Sequence, residues 1–320
     1  MRLLSVLYII LALRFASTGN GDDGRLRRNS STYSSFSEPT SPRDISQFVK
    51  PESPPKYFGI DIDGTLHTNN KESFEKNIEA FAEVRKKGYT PFFCTGRSLT
   101  SAMNVVGEEF KTKTGYNGYP GVYNDGSIVY DKDGNLIYSK PFSNTVLEAI
   151  TERLVAENLK DKCLFCTKDA FYSLAELDQE FQNIFDSLNV IFPRLEVIGT
   201  ILDIGVAEVF IQSRTFDIPG LERGVDYVEK YVGVDGIALS PPGITKGSAF
   251  STLIKHSGGK PEDYGFIGDG DNDTEAMEFC NVSFAVGNSP DEVKKHAKWV
   301  LEETCDQGAV AKALKLTYDL

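Results

Sequence analysis

Asp61-Ile62-Asp63-Gly64-Thr65 is the stretch that decides the fold. Just before it, Tyr57-Phe58-Gly59-Ile60 is an apolar run that follows a Pro-rich segment, the pattern of a first buried strand. The strand delivers two carboxylates, two residues apart, at its C-terminal end, and Gly64 permits a sharp exit. In open α/β sheets, ligands sit beyond the carboxyl ends of the strands. Two acids there suit a nucleophile with a general acid/base, or a metal site. A solvated acidic turn has the same local pattern, and the rest of the chain separates these readings.

Toward the C-terminus, apolar residues at Phe74, Ile78, Phe81, Ala82 and Val84 have a helical period, which Gly88 ends. Tyr89 to Cys94 reads as a second strand closing in Thr95-Gly96-Arg97, and Ser98 is placed to cap a helix running to about Phe110. Strand and helix alternate, the signature of a parallel sheet. Gly121 to Tyr138 reads instead as short antiparallel strands with an Asp133-Gly134 turn. Residues 142–240 change character: helices are expected at 143–158, 175–188 and 219–232, and strands near 163–174, 195–202, 206–213 and 236–240. After Pro241-Pro242-Gly243 the α/β rhythm returns. A helix around 247–257 precedes the buried strand Tyr264-Gly265-Phe266-Ile267-Gly268, which ends in Asp269-Gly270-Asp271-Asn272-Asp273. A strand at Ser283 to Val286, Trp299-Val300-Leu301 and a final helix complete the chain, which contains no internal repeat.

Three strand ends thus carry polar groups, and Lys246 opens a helix between the second and third. Strand ends of a parallel sheet converge on one edge, so these groups can meet across wide sequence separations. Carboxylates, a hydroxyl and an ammonium form a site whose hard oxygens suit Mg²⁺. A cation beside a nucleophilic carboxylate suits phosphoryl transfer, which requires negative charge on oxygen to be neutralised.

Four stretches together resemble the four motifs of the haloacid dehalogenase (HAD) superfamily, in its order and at fitting intervals: Asp61-Ile62-Asp63-Gly64-Thr65, Thr95-Gly96-Arg97, Ile244-Thr245-Lys246-Gly247 and Gly268-Asp269-Gly270-Asp271-Asn272-Asp273. Ala285-Val286-Gly287-Asn288-Ser289 and Asp306-Gln307-Gly308-Ala309-Val310-Ala311 are similar to the tail of its Cof-like branch. The resemblance spans residues 56 to 320. It implies a Rossmann-like α/β core with a parallel sheet, residues 56–141 and 241–320, interrupted between Thr95 and Lys246 by an α+β cap of the C2 type, subfamily IIB, at 142–240. It implies a Mg²⁺-dependent phosphatase acting on small phosphorylated metabolites, sugar phosphates foremost. Asp61 would be the nucleophile and Asp63 the general acid/base. Thr95, Gly96, Lys246 and Asn272 would bind the phosphoryl group. Asp61, Asp269 and the carbonyl of Asp63 would hold the metal, with Asp273 supporting that shell or orienting Lys246. A phosphomutase, a nucleotide or pyridoxal phosphate phosphatase and a non-catalytic binding protein are the alternative readings. One departure stands out: Asp125-Gly126-Ser127 replaces the branch's usual Asn-Gly-Ala, a change expected to alter contacts under the cap.

Other residues are read more plainly. Asp271 is expected to stabilise a helix N-terminus, Arg97 to contact substrate or form a surface ion pair, and His67, His256 and His296 to lie in solvent. Cys163-Leu164-Phe165-Cys166 has no second pair and no nearby His to complete a zinc site, so a half-buried strand is expected.

With 320 residues the chain has room for two domains or one with an insertion, and 40% hydrophobic with 25% charged residues is ordinary for a globular protein. A net charge of −12 offers no basic stripe to displace counterions, which argues against nucleic acid as a partner. Met1-Arg2, the apolar run Leu3 to Leu13 and the small residues Ala16, Ser17 and Thr18 have the pattern of a secretory signal peptide, residues 1–18. The run is too short to span a membrane comfortably, so a secretory route with no stable span after cleavage is expected, or a cytoplasmic location if this is no signal. Residues 19–55, rich in Ser, Pro, Gly and charge, are expected to be a disordered linker carrying an Asn29-Ser30-Ser31 sequon. A second sequon, Asn272-Asp273-Thr274, falls inside the fourth motif.

Overall fold

The computed structural model describes residues 43–187, 192–232 and 236–320; the expected signal peptide and residues 19–42 lie outside them. The first buried strand forms as expected: β2 (Tyr57–Ile60) sits in the middle of a nine-stranded sheet. On one side it pairs in parallel with β3 (Thr90–Cys94), which pairs with β4 (Gly121–Tyr123). On the other it pairs in parallel with β13 (Tyr264–Gly268), followed by β14 (Val282–Ala285) and β15 (Trp299–Val300). The chain therefore fills one side of β2, departs, and returns to fill the other. β2 is the topological switch point, where a crevice opens at the carboxyl ends. β5 (Ile128–Tyr130) and β6 (Leu136–Ser139) add the expected antiparallel edge.

Residues 43–48, within the expected linker, instead complete the opposite edge. β1 (Arg43–Asp44) pairs in parallel with β15, and the Phe48 ring meets Trp299 edge-on at 5.1 Å. Sparse aliphatic content hid this segment, which is anchored by Ile45 and Phe48 packed against the core.

Helices α1 (Lys71–Lys86) and α2 (Leu99–Thr114) start where the sequence offers caps: Asn70 accepts from the Ser73 N–H and Ser98 from the Ser101 N–H. With α6 (Lys246–His256), α7 (Thr274–Phe279) and α9 (Ala309–Tyr318) they cover a core of Phe58, Ile60, Phe81, Phe92, Phe250 and Phe266. The short α8 (Asp291–Lys294) precedes β15.

A second, six-stranded sheet lies between β6 and α6 in sequence, ordered β11-β12-β10-β7-β8-β9. It comprises β7 (Cys163–Cys166), β8 (Phe171–Ser173), β9 (Arg194–Leu195), β10 (Glu208–Ile211), β11 (Val228–Val232) and β12 (Gly236–Ser240), with α3 (Asn144–Ala156), α4 (Gln179–Ser187) and α5 (Ile198–Asp203). Several elements of this block differ from those expected. The expected strand at 163–174 is a hairpin, closed where the Thr167 N–H donates to the Ala170 carbonyl at 3.0 Å. The β-branched run expected as a strand at 195–202 is mostly α5, whose Ile201 is buried under the sheet. The helix expected at 219–232 is a loop followed by β11, which pairs antiparallel with β12; Gly220 and Gly224, both at positive φ, break any helix there. The Cys163–Cys166 strand is buried on both faces rather than one. Cys163 and Phe165 face one apolar cluster, and Leu164 faces another with Phe181 and Phe210. Its thiols are free, and burial pushes Cys163 up to about 12.

Two linkers join the sheets, and Lys140 Nζ on the outgoing one donates to the Pro242 carbonyl on the returning one at 2.5 Å. No helix among the described residues is long and apolar enough to cross a membrane.

Candidate active site

The loops after β2, β3 and β13 and the first turn of α6 meet at the carboxyl edge of the large sheet. Thr245 caps α6 in a capping box with Ser248, which fixes Lys246 as the first helical residue. Lys246 is 1% exposed, and its Nζ donates to Asp61 Oδ1 at 2.6 Å and Asp273 Oδ1 at 2.7 Å. Asp273 turns its other oxygen back on its own loop, accepting from the backbone N–H groups of Asp269 and Gly270, both at 3.0 Å. Both of its oxygens are thus engaged in positioning, Lys246 on one side and the loop on the other. Thr65 Oγ donates to Asp269 Oδ1 at 2.9 Å, holding the third buried acid. Gly64 allows this close approach. Its φ is +71°, and a Cβ there would lie 2.4 Å from Asp269 Oδ2. Asn288, from the tail motif, donates to the Gly64 carbonyl at 2.9 Å and steadies the same turn.

Asp61, Asp269 and Asp273 each offer an oxygen within 4.8 Å of the others. Burial pushes Asp61 up to about 8 despite the opposing Lys246 ammonium, and burial with the Asp61 and Asp273 charges pushes Asp269 well above the carboxylate range. Burial alone would lower Lys246, but Asp273 and Asp61 outweigh it and hold the ammonium well above its usual value. Three buried carboxyl groups face one ammonium, so their full ionisation would leave excess negative charge in a desolvated space, the condition a divalent cation with oxygen ligands relieves. The donor set fits Mg²⁺. Asp61 and Asp269 each hold one oxygen in the hydrogen bonds above and have a second for a metal.

Thr95 is fully buried at the end of β3, and its hydroxyl accepts from the Arg97 N–H at 3.1 Å, which leaves its O–H as a donor. Gly96 continues the turn. Asp63 and Arg97 depart most from the sequence reading. Arg97 is 8% exposed rather than at the surface, and it grips Asp63 with two bonds, Nε to Oδ2 at 2.7 Å and a terminal nitrogen to Oδ1 at 2.5 Å. Asn272, expected to contact phosphate, donates its amide to Asp125 Oδ1 at 2.8 Å. That amide nitrogen, the glycan acceptor of the second sequon, is therefore engaged inside the fold. Asp271 is exposed, as expected of a helix-start acid. His67 is half-buried against Phe74, at 5.5 Å between ring centroids, and burial lowers its pKa. His256 is exposed as expected, whereas His296 is half-buried and pairs with Glu278 at 2.5 Å. Thr65 and Asn288 lie in the quoted motifs without an assigned role, and Arg97 was not expected to clamp Asp63, because each acts through a partner distant in the chain.

The family model for haloacid dehalogenase-like hydrolases matches residues 58–314, and the chain belongs to that family. Among curated relatives, it is 26% identical over 282 residues to the chloroplastic endoribonuclease YBEY of Arabidopsis thaliana, covering 81% of this chain. It spans only about half of that protein's length, 46%. It is 25% identical over 270 residues to a phosphoglycolate phosphatase of Nitrosopumilus maritimus, covering 81% of this chain and 95% of that one. A solved Plasmodium vivax structure described as HAD/COF-like superposes with a TM-score of 0.72 at 26% identity, covering 84% of this chain and 97% of the other.

Proposed function

We propose that this hydrolase is a Mg²⁺-dependent phosphatase of small phosphorylated metabolites, sugar phosphates first, working through an aspartyl-phosphate on Asp61. The observation that carries this reading is the buried Lys246 ammonium shared between Asp61 and Asp273 at a strand-end crevice. An ammonium there orients the nucleophile and neutralises the phosphoryl oxygens drawn in beside it. Asp61 Oδ attacks phosphorus and the P–O bond to the leaving group breaks, while Thr95 and Lys246 hold phosphoryl oxygens. Asp63 gives its proton to the departing alkoxide, then takes one from the water that attacks the aspartyl-phosphate, releasing phosphate and restoring Asp61. The grip of Arg97 on both oxygens of Asp63 must loosen for this, and an incoming anionic substrate competes for the same guanidinium. Asp61, Asp269 and the Asp63 carbonyl would hold Mg²⁺, which supplies further neutralisation of phosphoryl charge. The cap selects the leaving group, because the core's polar residues address only the phosphoryl end.

A phosphate-release screen over sugar phosphates, phosphoglycolate, nucleotides and pyridoxal phosphate, with Mg²⁺ and with EDTA, tests the reading. Metal-dependent release from one small substrate class is expected. Absence of release from every member with Mg²⁺ present overturns the proposal. Conversion of a bisphosphorylated hexose to its isomer with little free phosphate would instead identify a mutase.

A further inference from the structure

Asp125 occupies the turn after β4, where the branch that this chain resembles carries Asn. Its backbone N–H donates to the Thr95 carbonyl at 3.2 Å, and its carboxylate accepts from Asn272. It therefore stands between two of the loops assigned to the phosphoryl group. Its side chain is 8% exposed, so its charge is poorly screened, and its field reaches the Lys246 ammonium. An extra buried anion beside a phosphate dianion is repulsive unless something compensates it. The compensation comes from the other sheet: Lys230, on edge strand β11 of the cap, donates from Nζ to Asp125 Oδ2 at 2.7 Å. A neighbouring contact joins the same two sheets with the donor on the other side, Asn124 Nδ2 donating to Glu208 Oε2 on β10 at 3.3 Å.

We infer that Lys230 is a counter-ion of Asp125 that makes the phosphoryl site electrostatically competent, so that the second sheet contributes to phosphate binding through the Asp125–Lys230 pair. Without the Lys230 charge, Asp125 repels the incoming dianion; with it, the pair is neutral and Asp125 holds Asn272. Lys230 and Asp125 are positioning residues, neither taking part in bond making. The inference rests on the phosphatase reading for the identity of the anion. Its sharpest consequence is suppression. Removing Lys230 leaves the buried Asp125 carboxylate without this cation, whereas removing both charges leaves a neutral turn. Asn adopts the left-handed backbone of this position, φ +52°, as readily as Asp, so Asp125→Asn preserves the turn.

The test measures binding of inorganic phosphate with Mg²⁺ by titration calorimetry to the full chain, to Lys230→Met, to Asp125→Asn and to the double variant. Lys230→Met is expected to weaken phosphate at least ~10-fold, the scale of a lost charged partner, and the double variant to recover most of that loss. A merely structural role for Lys230 predicts no recovery, since the double variant lacks the same cross-sheet contact. Should Lys230→Met not fold, Lys230→Gln, which keeps a donor without the charge, carries the same expectation. A Lys230 variant that binds phosphate as tightly as the wild type, or a double variant as weak as the single, overturns the inference alone. A wild type that binds no phosphate and releases none from the panel overturns the phosphatase reading and this inference together.

Discussion

On the proposed mechanism Asp61 must be desolvated and yet anionic, and those demands conflict. Burial favours the protonated form, and only the Lys246 ammonium 2.6 Å away opposes it. Asp61→Asn keeps the shape and the hydrogen bond but removes the attacking charge, so kcat should fall at least ~10³-fold while substrate binding survives. A variant retaining a tenth of the wild-type rate would exclude the covalent route. Asp63 supports a finer test. An alkoxide needs a proton to leave, whereas a nitrophenolate does not, so Asp63→Asn should still be phosphorylated by p-nitrophenyl phosphate. It should then stall, because no base activates the hydrolytic water. Rapid-quench kinetics should show a burst of about one nitrophenolate per site followed by slow turnover. Steady turnover at the wild-type rate without a burst would remove Asp63 from both proton transfers.

At the scale of elements, the site depends on how tightly α6 is set against the turn after β4. Gly126 in that turn has φ +105°, and a Cβ there would lie 2.4 Å from the Thr245 carbonyl, the residue that caps α6 ahead of Lys246. Gly126→Ala therefore combines backbone strain with a push on the helix start. It should cost about 1–3 kcal/mol of stability and lower kcat by displacing Lys246. A melting temperature and kcat both matching the wild type would show that this approach is slack. The elements of the candidate site were legible in the sequence because each motif closes a buried strand or opens a capped helix, where local chemistry and global position agree. It was less informative in the cap. Ile198 to Leu202 has β-branched residues yet lies in α5, since burying Ile201 against the sheet outweighs a weak propensity. Residues 228–232 read as helix, but pairing with β12 makes them an edge strand, a choice set by a partner in the fold. For the same reason Lys230 could not be singled out: nothing near it in sequence shows that it faces Asp125.

Across the whole molecule, the acidic cluster links folding, pH and metal. Asp61 moves from 3.8 to about 8 on folding, so the folded state binds a proton that the unfolded state releases. With the folded value raised, its contribution favours the metal-free fold most below about pH 4 and is lost as the pH rises toward about 8. Asp269, also shifted upward, acts in the same direction. Mg²⁺ at the proposed site would reverse the sign, because it would bind the deprotonated carboxylates and have to displace their protons at lower pH. Metal binding confined to the folded state stabilises by mass action, so the gain in melting temperature measures the affinity at each pH. At one fixed Mg²⁺ concentration, that gain should be larger near about pH 8 than near about pH 6. Asp269→Asn should reduce it at both, since a hard anionic ligand is gone. Calcium should stabilise the fold while supporting little turnover, as its larger and looser shell leaves the nucleophile poorly placed. Differential scanning fluorimetry with EDTA, Mg²⁺ and Ca²⁺ at the two pH values makes the comparison. An Mg²⁺ gain equal at both pH values, or undiminished in Asp269→Asn, would mean that the ion binds somewhere other than the Asp61–Asp269 crevice.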